Sequence, residues 1–363
     1  MNIGINVLSL FDGMSCGQLA LQRAGIKVNQ YFASEIDKHA IKVTMANFPD
    51  TIQLGDITKV FSKDLPKIDL IIGGSPCQGF SFAGKGLNFE DPRSKLFFEF
   101  ARLWKECKPQ FFLLENVVMK KEYELVISKY LSNISPIKIN SSLVSAQNRV
   151  RLYWTNINQK SSGLFGDLQN NIPQPKDKKI KLKDILEENA PERYFLSEKM
   201  IKYISDSGRI AKKYTSIDGE KSLTLMANYN KSSNGQFCSE KAKCFTAGGH
   251  SGGLHSDMEL IIEKKQIIQL NQSRESQNRQ PYQQNRVYDI NGIVPALLAD
   301  VSSRTHAILL DNYRIRRLTP IECERLQTVP DNYTNHVSNT QRYRMLGNGW
   351  TVDVVAHIFS FLN

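Results

Sequence analysis

Short β-rich runs alternate with helical patterns through the first 155 residues, and no other feature constrains the fold as tightly. INVLSLF (5–11) reads as a buried strand and Cys16 to Gly25 as the helix after it. YFASEI (31–36) is a second strand, followed by a helical pattern to Asn47. IDLIIGG (68–74), FFLLENV (111–117) and RVRLYWTNI (149–157) are further strands, with helices over Phe97 to Cys107 and Lys121 to Leu131 between them. Strands separated by helices of this length predict an α/β fold with a mostly parallel sheet covered on both faces. In such sheets ligands bind beyond the carboxyl ends of the strands, where the unusual short sequences of this chain fall.

The pattern changes after about residue 158. SSGLFGDLQNNIPQPKDKK reads as a surface connection, because Gly, Pro and Asn interrupt regular structure. From about 180 to 310 the chain is rich in Ser, Asn, Gln and Lys, with short, poorly periodic strands, and 271–286 reads as loop. RLTPIECERLQTV (317–329) carries a helix start: Thr319 can cap, Pro320 suits the first turn, and Glu322 stands three residues after Thr319. The chain closes on a strongly apolar helix expected to pack back on the first domain. The expected division is 1–160, a catalytic and cofactor-binding domain; 161–312, a smaller, mostly β or irregular domain; and 313–363, a return segment. A chain of 363 residues is long enough for two such bodies.

Three turns stand where a ligand would bind. Phe11-Asp12-Gly13-Met14-Ser15-Cys16-Gly17 follows a strand and opens a helix, so glycine permits close approach to a backbone with free N–H groups. Glu35 ends the second strand, placed to accept hydrogen bonds from a ribose diol. Asp56, in Leu54-Gly55-Asp56-Ile57, can receive an adenine amino group. Each also reads as an ordinary turn of an α/β protein.

Gly73-Gly74-Ser75-Pro76-Cys77-Gln78-Gly79-Phe80-Ser81 is more specific. A cysteine directly after proline, beyond an apolar strand, sits on a rigid loop, and its thiolate is a competent nucleophile. The alternative is a buried structural cysteine, against which the polar and glycine neighbours count. Glu115 ends FFLLE, a run in which a carboxylate is costly unless it enters a site. Partial desolvation there would let it hydrogen bond to a base ring nitrogen. Gln147-Asn148-Arg149-Val150-Arg151 puts two arginines on one side of a strand, which reads equally as a solvated face or as one arginine for the glutamate and one for a phosphate or base carbonyl.

In their order, these sequences closely resemble the motifs of the cytosine-5 DNA methyltransferases, over nearly the whole chain apart from about 160–310. The most specific pieces are GGSPCQGFS, ENV, QNRVR, RRLTPIECERLQTVPDNYT and RMLGNGWTVDV. LFDG, IIGGSPC and VPDNYT are similar to the catalytic domain of the animal de novo branch, without its chromatin-reading extensions, so a bacterial or phage enzyme is the better match. The resemblance implies a Rossmann-like S-adenosylmethionine-dependent methyltransferase core and a target-recognition domain. It implies Cys77 as nucleophile, Glu115 at N3 of cytosine, and Arg149 and Arg151 in support. The cofactor set it brings together is Phe11, Asp12, Gly13, Gly17, Glu35, Ile36, Asp56, Ile57, Pro76, Leu96, Asn348 and Trp350. Three departures touch none of the reacting groups: DGMSCG lacks the second glycine of the family's FxGxG, Ile36 replaces an aromatic residue, and Trp350 follows GNG.

Lys plus Arg exceed Asp plus Glu by 11, which favours a polyanionic partner. Double-stranded DNA is the expected partner, with Gln78, Ser81, Lys85, Gln147, Lys241, Lys243 and Arg314 as contacts. Ser81, Gly84, Lys85 and Gly86 suit a loop that closes over a flipped base. Cys238, Cys244, His250 and His255 lack the close Cys pair of structural zinc sites, and no metal is expected. The six scattered cysteines fit a reduced compartment, and the start lacks a secretory signal. A cytoplasmic monomer is therefore expected, with a cognate restriction endonuclease as a possible companion. An amino-group methyltransferase would carry Pro-Pro-aromatic where Ser-Pro-Cys stands. The rival readings are a cytosine-5 transfer RNA enzyme and a non-catalytic partner protein.

Overall fold

The computed structural model describes residues 4–75, 92–162, 167–195, 242–243, 260–263, 287–289 and 314–362. In chain order the first unit contains β1 (Ile5–Leu10), α1 (Cys16–Arg23), β2 (Val28–Ser34), α2 (Lys38–Asn47), β3 (Ile52–Gln53) and β4 (Leu70–Gly73). It continues with α3 (Pro92–Cys107), β5 (Phe111–Val117), α4 (Lys121–Tyr130) and β6 (Ile137–Asn140). After β7 (Gln147–Asn148), which belongs to the second unit, come β8 (Val150–Thr155), β9 (Gln159–Ser162) and β10 (Asp167–Asn170).

Seven strands form one sheet in the order β3-β2-β1-β4-β5-β8-β6. β3 through β5 run parallel, and β8 runs antiparallel to both β5 and β6. The expected α/β fold with a mostly parallel sheet is what forms. Because β1 leads to β2 on one side and β4 lies on its other side, the strand order reverses between β1 and β4. That reversal opens a crevice at the carboxyl ends.

Strand side chains alternate between faces, so the two cores can be told apart. Leu8, Leu10, Ile71, Phe112 and Leu114 pack with Phe97, Phe100 and Leu103 of α3 and with Tyr123 and Ile127 of α4. Val7, Ser9, Ile72, Leu113 and Glu115 therefore face the other way, toward α1. A final helix, Val352–Phe359, packs on α1, with an Arg23–Asp353 ion pair of 2.5 Å. Its apolar run Val352, Val354, Val355, Ile358 and Phe359 is fully buried.

The expected surface connection after residue 160 is instead partly a hairpin: β9 and β10 pair antiparallel, Ser162 opposite Asp167. Asn170 Nδ2 donates to Thr155 O and Asn171 N to Asn158 O, which ties the hairpin to the end of β8. Pairing with a neighbour outweighs the weak strand preference of Asn and Ser.

The second unit comprises 141–149 and 177–348, and the first comprises 1–140, 150–176 and 349–363. These boundaries differ from those expected at 160 and 313. The hairpin keeps the chain in the first unit through 176. The 141–149 excursion leaves it because Ser145 Oγ and Gln147 Nε2 both donate to Leu326 O, at 2.6 and 3.3 Å. Among the described residues this unit has β11 (Ala242–Lys243) beside β7, and a sheet of β12 (Leu260–Glu263), β13 (Val287–Asp289) and β14 (Arg314–Arg317). Helices α5 (Pro320–Leu326) and α6 (Asn339–Asn348) follow, which makes the final helix α7. The start of α5 is the expected capping box: Glu322 N donates to Thr319 Oγ1, and Thr319 N to Glu322 Oε2. Among the described residues no helix is long and apolar enough to cross a membrane.

Candidate active site

The register of the parallel strands brings the sequence candidates to one level. Leu10 pairs with Ser34 on one side and Gly73 on the other, and Gly73 pairs with Leu114. One residue further along each strand stand Glu35, Phe11, Gly74 and Glu115. Motifs separated by as much as 104 residues, from Phe11 to Glu115, thus share one row at the carboxyl edge of the sheet, across the β1/β4 reversal.

The turn after β1 is built against local preference. Phe11 (φ 58°) and Ser15 (φ 63°) adopt the left-handed region along with Gly13 (φ 58°). For a bulky side chain that costs about 1–2 kcal/mol and persists only where surroundings enforce it. Asp12 supplies the enforcement. Its carboxylate accepts from Ser9 Oγ (2.6 Å), Tyr31 Oη (2.8 Å) and Ser15 Oγ (2.8 Å). Among the expected cofactor residues, then, Asp12 points its side chain into the fold. A bound ligand would meet its turn through backbone.

Burial, opposed by those three hydroxyl donors, pushes the Asp12 carboxyl up from 3.8 to about 6. Burial and the neighbouring Asp12 charge push Tyr31 well above its ordinary value. For an acid raised on folding, the stabilising contribution is complete below the unfolded value and is lost as pH rises through the folded one. Compared with Asp12→Asn, the wild-type protein should lose at most about 3 kcal/mol between pH 4 and 7. Urea denaturation of both proteins across that range measures it. Parallel curves would contradict the assignment.

Glu35 is fixed from three sides. Gly13 N donates to Oε2 (2.7 Å), and Ile36 N and Asp37 N donate to Oε1 (2.7 and 2.8 Å). Ile36 is 77% exposed, an apolar side chain offered to solvent beside this carboxylate. Asp56 is half-buried, and Thr58 N and Oγ1 hold it below the usual carboxylate range. An ideal Cβ on Gly13 meets nothing within 4 Å, so that backbone faces open space. Two anionic acceptors, an exposed apolar cover and an approachable backbone at one sheet edge fit a nucleoside with a ribose diol, as S-adenosylmethionine has. Ile57 is buried in the core, and Phe11 and Leu96 pack against it half-buried. Asn348 is exposed at the end of α6, in the second unit. Trp350, in the first, lies half-buried against Gly17 and Gly74.

Glu115 is 8% exposed, and Arg151 Nε lies 2.9 Å from its Oε1. The register explains the meeting: Glu115 opposes Tyr153 and Val117 opposes Arg151, so the pair lies diagonally across β5 and β8 on one face. β8 begins at Val150, and Arg149 belongs to the second unit, where its O accepts from Ser141 N and its Nη1 donates to Gly347 O at 3.3 Å. Gln147, expected at DNA, is fully buried, and its Nε2 donates to Leu326 O.

Asn116 did not stand out in the sequence beyond its place in ENV. It is buried, and its Nδ2 reaches Ser75 Oγ (3.2 Å) and O (3.4 Å), anchoring the chain two residues before Cys77. Pro76, Cys77, Gln78, Ser81, Gly84, Lys85, Gly86 and Lys241 lie outside the described residues, as do Cys238, Cys244, His250 and His255. Lys243 pairs with Asn148, and Arg314 with Glu263, through their backbones. Among the described cysteines, Cys16 and Cys323 are buried and burial pushes Cys107 up to about 11, so none is a ready nucleophile.

A model of the C-5 cytosine-specific DNA methylase family matches residues 5–362. The chain belongs to this family. It is a DNA cytosine methyltransferase built on an S-adenosylmethionine-dependent core. This methylase is 31% identical over 359 residues to the type II methyltransferase M1.ScrFI of Lactococcus lactis subsp. cremoris, covering 96% of this chain and 75% of the relative. It is 28% identical over 435 residues to the orphan methyltransferase M.SPRI of Bacillus phage SPR, covering 99% and 97%. The fold matches the S. pombe Dnmt2 methyltransferase with a TM-score of 0.61 at 16% identity, over 99% of this methylase and 98% of that chain. The methylase thus shares the fold of that enzyme with little of its sequence.

Proposed function

We propose that this methylase transfers a methyl group from S-adenosylmethionine to carbon 5 of a cytosine flipped out of duplex DNA, through a covalent bond from Cys77 to carbon 6. The observation that carries the reading is the row Glu35–Phe11–Gly74–Glu115, with a buried arginine fixing the last carboxylate. S-adenosylmethionine supplies an electrophilic methyl group on its sulfonium sulfur; Glu35, Ile36, Asp56 and the backbone of the Phe11–Gly13 turn would hold it.

The chemistry then falls to this chain. Carbon 5 of cytosine is a poor nucleophile until the Cys77 thiolate adds at carbon 6. Glu115, one oxygen fixed by Arg151, gives a proton to N3 and so neutralises the negative charge that thiolate addition places on the ring, and it takes that proton back when the thiolate departs. After carbon 5 has taken the methyl group, loss of its proton and departure of the Cys77 thiolate restore the aromatic ring. Arg151 keeps Glu115 oriented, and Asn116 fixes the approach to Cys77 through Ser75. Carbon 5 and carbon 6 are out of reach within a stacked duplex, which is why the base must leave the helix.

The second unit contains the stretch that would read the target sequence, with Lys243 and Arg314 beside phosphates. A monomer acting on duplex DNA in bacterial or phage-infected cytoplasm completes the reading. Several relatives are named type II methyltransferases, which points to a companion endonuclease for the same site.

Duplex DNA carrying 5-fluorocytosine tests the covalent step, because fluorine cannot leave carbon 5 as a proton does and the adduct persists. With S-adenosylmethionine present, the expected product is a protein–DNA species that survives denaturant and maps by mass spectrometry to the peptide containing Cys77. A cross-link to another residue, or none from protein that methylates ordinary DNA, would contradict the proposal.

A further inference from the structure

Gly74 occupies a place where a side chain would strike two functional groups at once. An ideal Cβ there would stand 2.9 Å from Trp350 Nε1, 3.1 Å from Glu115 Oε2 and 3.4 Å from Trp350 Cε2. On the opposite side of the same indole, an ideal Cβ on Gly17 would stand 3.4 Å from Trp350 Cζ3, and also 2.4 Å from Ile72 Cδ1 and 3.1 Å from Tyr31 Oη. The five-membered edge of Trp350 therefore lies over the end of β4, while its six-membered edge lies toward the start of α1. That is the crevice at which the strand order reverses, where the ligand of such a sheet binds.

On the Glu115 side Gly74 has little slack. Glu115 is 8% exposed and its other oxygen is held 2.9 Å from Arg151 Nε, so Oε2 cannot swing away without breaking a buried ion pair. Trp350 is half-buried, and a methyl group on Gly17 would meet its six-membered ring only at ordinary contact distance, 3.4 Å from Cζ3. Gly74 also immediately precedes Ser75, the residue Asn116 holds, on the way to Cys77.

We propose that Gly74 is a positioning residue of the methylation reaction: its missing side chain is the space in which Trp350 and the Glu115 carboxylate stand side by side. The absence of a Cβ sets the carboxylate against the wall of the methyl-donor site. This role rests on the function proposed above, since it assigns Glu115 to the cytosine and Trp350 to the cofactor side. It adds that the two are mechanically coupled through one residue that touches neither substrate.

The test is the cycle of Gly74→Ala, Trp350→Phe and the double variant, with kcat, the KM for S-adenosylmethionine and thermal midpoint measured on the full chain. Displacing Glu115 by a fraction of an ångström to 1 Å should lower kcat of Gly74→Ala by about 10²-fold and raise the KM for S-adenosylmethionine. Phenylalanine lacks Nε1 and the five-membered ring, so adding Trp350→Phe to Gly74→Ala should restore kcat about 10-fold although each single change is harmful. A glycine needed only for folding would lower the thermal midpoint and would not be rescued by Trp350→Phe. Gly74→Ala within twofold of wild type in kcat, or single effects that simply multiply, would overturn the role. Should Gly74→Ala not fold, Trp350→Phe decides: a fall in kcat beyond any change in KM supports the coupling, and a change in KM alone overturns it. Wild-type protein that makes no 5-methylcytosine would instead overturn the underlying function, and this role with it.

Discussion

Glu115→Gln should lower kcat for cytosine methylation by about 10²–10⁴-fold, the range that a positioned acid–base group contributes, while binding of S-adenosylmethionine changes little. The amide keeps the shape of the side chain and has no acidic proton to give to N3. Glu115 belongs to the row at the strand ends, but its oxygens face Arg151 and Gly74 rather than the Glu35 side where the nucleoside would be held. The split between kcat and cofactor affinity is therefore the informative quantity. Single-turnover methylation of duplex DNA and calorimetric titration with S-adenosylhomocysteine measure the two separately. Equal loss of both would mean that Glu115 shapes the cofactor site and that another group meets the base.

Arg151→Ala should cost about 3–5 kcal/mol of stability, because it leaves a buried carboxylate without its cation. The side chains of Arg151 and Glu115 are 7% and 10% exposed, so water cannot easily take the place of the guanidinium. The penalty belongs to the stranded charge and not to the lost attraction alone. Arg151→Ala combined with Glu115→Gln should accordingly recover most of the lost stability while remaining inactive. Urea denaturation of the four proteins supplies the cycle. A loss below about 1 kcal/mol in Arg151→Ala would place the pair in a far wetter environment than its geometry implies.

The sequence patterns that proved informative are those whose physics is local. FFLLENV is β5 to the residue, because a continuous apolar run of that length beside turn residues has few other fates. The cap of α5 was legible from Thr319, Pro320 and Glu322, since every participant lies within one turn. Glu35 at the end of β2 was placed by the same reasoning, one residue beyond Ser34.

Where the surroundings of a side chain were not legible, the cause is different. Gln147 reads as a polar residue of a DNA-facing motif, but the acceptor that buries it, Leu326 O, is 179 residues away. Arg149 and Arg151 have the spacing of neighbours on one strand face. A break in the strand between β7 and β8 sends Arg149 to the second unit, and spacing alone carries no sign of it. Asp12 reads as a ligand contact because it stands in a glycine-containing turn. That its carboxylate turns inward depends on Ser9, Ser15 and Tyr31 meeting it on the α1 side of the sheet. The close approach of Trp350 to Gly74 joins residues 276 positions apart, and only the closing of α7 onto α1 brings it about.

Methylation sequencing of duplex DNA treated with the pure protein and S-adenosylmethionine, alongside the Cys77→Ser variant, tests the central claim most directly. The account predicts 5-methylcytosine confined to cytosines within one short sequence in the wild-type reaction and none with Cys77→Ser. Methyl groups on an exocyclic nitrogen, or 5-methylcytosine that persists undiminished in Cys77→Ser, would contradict it.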